Sequence, residues 1–71
     1  MENDPVNNPA HYTRLNPQPL DVIEAWHLNF HAGQVVKYVA RAGFKGDALE
    51  DLKKARFYLN RWIETLEEER G

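Results

Sequence analysis

A chain of 71 residues and 8.3 kDa makes one domain, and at this length folding buries only about 60% of the unfolded surface, so a core built from this chain alone is marginal. The absence of cysteine excludes disulfides, thiolate metal sites and thiol nucleophiles, and the polar, proline-spaced first nineteen residues do not read as a signal peptide or membrane span, so a cytoplasmic protein is expected. The net charge of −2 lacks the strongly basic balance that long nucleic acid usually demands, but residues 31–46 carry Lys37, Arg41 and Lys45 with no acid, a local excess suited to a compact anion.

Pro5, Pro9, Pro17 and Pro19 punctuate the first nineteen residues, where their fixed φ angles and missing donors exclude a regular helix or central strand. Residues 1–19 are therefore expected to form an extended arm, and 20–71 a three-helix domain. From Leu20 the pattern becomes helical. Leu20, Val22, Ile23, Trp26, His27 and Phe30 share one side of a wheel while Asp21, Glu24 and Asn29 take the other, which predicts a first helix over about 19–29 with Pro19 in its first turn. The pattern restarts between Phe30 and Gly33. A second helix is expected over Gln34 to Ala42, ended by Gly43 in a left-handed conformation.

That second helix is apolar around most of its circumference, through Ala32, Val35, Val36, Tyr38, Val39, Ala40 and Ala42, and is expected to be central. Its polar stripe is Gln34, Lys37 and Arg41. Lys37 and Arg41 are an i,i+4 pair of like charges, which repel and call for a negative group opposite, either an internal acid or a ligand. Asp47 can then accept from the amide of Glu50 to start a third helix running to about Glu68. Leu49, Leu52, Ala55, Leu59, Trp62, Ile63 and Leu66 fall on one arc, the spacing of a helix packed against the other two. Phe57 lies outside that arc and needs cover, which the arm or a second subunit would supply. The fold class is all-α, completed by homo-oligomerisation.

A second stripe runs along helix 3, with Asp51, Lys54, Tyr58 and Arg61 at i, i+3, i+7 and i+10, and Lys45 precedes it in the loop. Antiparallel pairing of helices 2 and 3 through their short loop brings the two stripes to one cleft of cations, one acid and two tyrosines. Such donors beside an aromatic face suit a phosphate and a base. The competing reading is structural: Lys37 and Arg41 bridge to Asp51, Glu50 or Glu24 as ordinary ion pairs worth under about 1 kcal/mol. Glu24, His27 and His31 have a spacing that can ligate a metal, but His27 sits on the apolar arc and reads as a core histidine, so no metal site is expected. The chain has no serine, no Walker loop and no dinucleotide fingerprint, which excludes the familiar phosphoryl-transfer machinery.

Val6-Asn7-Asn8-Pro9-Ala10-His11-Tyr12 resembles the N-x-P-x-H-Y signature of the SaV-like family, small and mostly phage-encoded proteins of unknown function. The similarity continues through Leu20 to Ala25, Gly33 to Arg41, Lys45-Gly46, Glu50 to Ala55 and Tyr58-Leu59, with Gln34 where the family usually has asparagine. The resemblance implies a phage accessory protein acting in the cytoplasm of an infected bacterium, with a longer coliphage relative that is a nucleoside monophosphate kinase lacking a P-loop. Carried over by position, it marks His11, Tyr12, Lys37, Tyr38, Arg41, Lys45, Asp51 and Lys54 as ligand-binding. The leading expectation is an oligomer that binds a phosphate-bearing nucleotide, one form being sequestration of a host cyclic-nucleotide immune signal. In that picture Lys37, Arg41, Lys45 and Lys54 neutralise phosphates, His11, Tyr12 or Tyr38 pack on base or ribose, and Asp51 orients a cation or accepts from the ligand. Two alternatives stay open: a nucleotide-processing enzyme, with Mg²⁺ held through Asp51, and a helical module that inhibits a host protein through Phe57 and the acidic tail.

Overall fold

The computed structural model describes residues 15–44 and 46–71. Three helices follow in chain order, α1 (Pro19–Ala25), α2 (Phe30–Arg41) and α3 (Ala48–Arg70), and no strand is present among the described residues. The all-α expectation holds. The proposed arm lies mostly outside the described residues. No helix among those described is long and apolar enough to cross a membrane.

Helix α1 is shorter than its wheel predicts. Asp21 accepts from the Gln18 amide at 3.2 Å at its start, and its end is a Schellman turn in which the Leu28 amide donates to the Ile23 carbonyl at 3.1 Å and the His27 amide to Glu24 at 3.2 Å. His27 occupies the left-handed position of that turn, with φ 53°, and is exposed. The expectation of a core histidine is therefore corrected: the helix stops at Ala25 before the apolar arc reaches it.

Helix α2 begins four residues earlier than expected, because the Asn29 side chain caps it by accepting from the Ala32 amide at 2.8 Å. After Arg41 the chain turns at Gly43, φ 89°, and Gly46, φ 71°, left-handed conformations that glycine adopts without steric cost. Asp47 then caps α3, accepting from Leu49 at 3.0 Å and Glu50 at 3.4 Å. The connection spans residues 42–47 and returns α3 along α2, which packs against both other helices and is central, as its wheel predicts.

The packed face of α3 is narrower than the predicted arc. Its sheltered positions, Ala48, Asp51, Ala55, Tyr58, Trp62 and Thr65, recur at alternating three- and four-residue steps, the stripe that meets a helix lying alongside. Leu49, Leu52, Leu59, Ile63 and Leu66 instead remain 43–60% exposed, and Ala55, at 5% exposure, is the one buried hydrophobic residue of α3. The reason is size. Helix α2, with 12 residues, is about 18 Å long and covers one stripe of the 23-residue α3, which is about 34 Å long. The arc predicted for α1 is likewise open at Leu20, Trp26 and Phe30.

Where α1 crosses α2, buried Gly33 allows the Ile23 side chain to settle on the backbone, and a Cβ there would meet Ile23 Cγ2 at 3.3 Å. Replacing Gly33 by valine forces the helices apart and is expected to cost about 1–3 kcal/mol, read as a lower thermal midpoint. Adding Ile23→Ala should recover part of that loss, whereas the same change in the wild-type background should only destabilise.

Candidate anion-binding site between helices α2 and α3

Helical spacing places Lys37, Tyr38 and Arg41 on consecutive turns of α2, and Asp51, Lys54 and Tyr58 on consecutive turns of α3. Antiparallel packing brings the two sets together as the sequence predicts. The Tyr38 and Tyr58 rings stack across the interface with centroids 6.0 Å apart and planes 8° from parallel. Phe30 presents an edge-to-face contact to Tyr58 at 5.8 Å, and Phe57 another at 5.3 Å. His31 continues the row, edge-on to Phe30 at 5.7 Å. Phe57 thus gains a partner on its own helix while staying 58% exposed.

The charges divide into two groups. Arg41 Nε lies 3.7 Å from Asp51 Oδ2, and the Asp51 side chain is only 6% exposed. That separation is beyond hydrogen-bond range, and both atoms are shut off from solvent without a hydrogen-bond partner among the described residues. The attraction is electrostatic and is reinforced by position: Arg41 stands in the last turn of α2 and Asp51 in the first turn of α3, where each helix dipole favours that sign. The internal reading of the basic stripe is therefore right for Arg41.

Lys37 and Lys54 behave differently. Their ammonium nitrogens stand 5.4 and 5.6 Å from the centroid of the same Tyr38 ring, within cation–π range. The two cations are consequently separated by no more than about twice that distance. Among the described residues, neither has a carboxylate within ion-pair distance. Two positive charges from different helices therefore share one aromatic ring with no counter-charge among the described residues, while Arg61 leaves the cluster to pair with Glu64 at 3.3 Å.

Of the residues expected at the site, the fold gathers Lys37, Tyr38, Arg41, Asp51 and Lys54. His11, Tyr12 and Lys45 lie outside the described residues. Tyr58, Phe30 and Phe57 complete the cluster. Tyr58 was visible in the α3 stripe, and Phe57 announced itself as an apolar residue on a polar arc. Phe30 carried no such signal, since its wheel position pointed to α1. No group of three or more histidine, cysteine or acidic side chains suited to a metal ion occurs among the described residues.

Residues 6–60 match the sequence profile of the family described as protein of unknown function (DUF3310). No curated protein and no solved structure matches the chain. The matched segment contains every residue of the cluster, together with His11, Tyr12 and Lys45.

Removing one member of a buried ion pair strands the other, a loss of about 3–5 kcal/mol in full burial and less here because the Arg41 side chain is 35% exposed. Asp51→Ala is expected to cost about 2–3 kcal/mol in urea unfolding. A double variant, Arg41→Met with Asp51→Met, should recover most of that loss, since no isolated charge then remains.

Proposed function

The chain belongs to the DUF3310 family, and from that premise we propose that it binds a compact, phosphate-bearing nucleotide at the surface where α2 meets α3. The observation that carries the proposal is the convergence of Lys37 and Lys54 on the Tyr38 ring with no carboxylate to neutralise them among the described residues. Two ammonium groups that approach one ring from different helices can both donate to the oxygens of a single phosphate, which supplies the negative charge they lack.

The aromatic row supports a nucleotide over a bare phosphate. Exposed Phe30 and Phe57 flank Tyr58, which stacks on the Tyr38 ring that the ammonium groups approach, offering ring faces and edges to a base. Lys37 and Lys54 hold phosphate oxygens, Tyr38 and Tyr58 form the floor, and Arg41 with Asp51 keeps the two helices in register. His11, Tyr12 and Lys45 join this set on the strength of the SaV-like resemblance.

Binding is favoured over catalysis by the state of Asp51. The carboxylate in this cluster is buried against Arg41 and does not face an open surface from which it would take a substrate proton. Within this reading the protein is a phage accessory factor that captures its ligand unchanged, a host cyclic-nucleotide signal being one ligand of the right chemistry.

Thermal unfolding against a panel of mono-, tri- and cyclic nucleotides tests the proposal. A ligand at one hundred times its dissociation constant adds about 2.7 kcal/mol, and on a domain this small each kcal/mol moves the midpoint by about 4–8 °C. Lys37→Met and Lys54→Met should each weaken binding at least tenfold, and together abolish it, with helical circular dichroism unchanged. Ligand recovered intact after heating supports capture, whereas conversion of a monophosphate in the presence of ATP supports the kinase alternative. A panel that produces no shift refutes the nucleotide reading.

A further inference from the structure

The exposed apolar residues of α3 are not scattered. Leu49, Leu52, Arg56, Leu59, Ile63 and Leu66 follow one another at steps of three and four residues, the a and d positions of a heptad, with Arg56 the single polar member. All six are exposed, the five apolar ones by 43–60%. This stripe lies about 100° around the helix from the stripe that meets α2, so α3 carries two helix-packing faces and uses one. A shallow concavity also runs along the second face near its end, lined by Ile63, Leu66, Glu67, Glu69 and Arg70.

We infer that this second face pairs antiparallel with the same face of another copy of the chain. Charge selects both the partner and the direction. In a parallel, in-register pair, Arg56 would lie against its own counterpart in the seam, two like charges buried together. Antiparallel pairing about a two-fold axis near residues 57 and 58 removes that clash. It sets Leu49 against Leu66 of the partner subunit, Leu52 against the partner's Ile63, and Arg56 against the partner's Leu59. Arg56 then covers apolar surface with its stem while its head reaches solvent.

The flanking charges agree with this register. Lys53 lies beside the seam near the start of α3 and Glu67 beside it near the end, so antiparallel pairing brings Lys53 next to the partner's Glu67 on both sides of the axis. Parallel pairing forms no such contact. The packed stripe that holds Tyr58, and Lys54 with it, points away from this seam, so two sites remain open in the pair.

The absence of cysteine permits a clean test. Leu49→Cys and Leu66→Cys variants, oxidised separately, are expected to remain uncrosslinked, whereas their mixture, allowed to exchange subunits, should form a disulfide-linked dimer. Sedimentation equilibrium of the unmodified chain at micromolar concentration should give twice the 8.3 kDa monomer mass or an even multiple of it. Lys53→Glu should weaken association at least tenfold, and Glu67→Lys in the same chain should restore it, a rescue that loss of folding would not produce because both residues are exposed. A single 8.3 kDa species, which would leave the face to another occupant, overturns the inference, as does self-crosslinking of either cysteine variant alone.

Discussion

The approach of Arg41 to Asp51 is the constraint on which the rest of the structure depends. It joins the last turn of α2 to the first turn of α3, at the point where the chain reverses through Gly43 and Gly46. Because the two charges sit where each helix dipole welcomes them, the pair favours one alignment of the helices over a shift by a turn. Tyr38 follows from that alignment. One turn before Arg41 on α2, it meets Tyr58, two turns after Asp51 on α3, and the stacked rings form the floor beneath Lys37 and Lys54. A buried ion pair contributes little net stability once desolvation is counted. Its contribution here is to register, and through register to the placement of Lys37 and Lys54 beside the Tyr38 ring.

The division of labour among the four charged side chains has a physical logic. One cation and the one acid neutralise each other inside, and two cations remain at the edge of an aromatic surface. Had Lys37 rather than Arg41 faced Asp51, the longer-reaching guanidinium would stand outside and the buried carboxylate would meet a more strongly hydrated ammonium, at greater desolvation cost. The arrangement found keeps the less hydrated cation in the sheltered position. It leaves the compact ammonium groups beside the Tyr38 ring.

Small size shapes the other half of the molecule. With no side chain fully buried among the described residues, the three helices do not enclose a core of large side chains. Helix α3 is about twice the length of α2, and it presents a leucine-rich stripe outside the face that α2 covers. A second copy on that seam would supply burial that the single chain lacks, and it would do so without obstructing the aromatic and basic surface.

Much of this was legible in the residues themselves. The helical periods, the glycine-rich reversal, the Asp47 cap and the convergence of the Lys37–Arg41 and Asp51–Tyr58 stripes all follow from local spacing, because stripes three and four residues apart must align when two helices pair across a short loop. Helix ends were less legible: Asn29 capped α2 early and His27 took a left-handed turn, choices that depend on single hydrogen bonds rather than on periodicity. What the sequence by itself determined was which residues share a face. Which faces meet, which of the two cations finds the carboxylate, and that the leucines of α3 stay uncovered were decided by tertiary packing, since a wheel records directions around one axis but not the length or reach of the helix lying opposite.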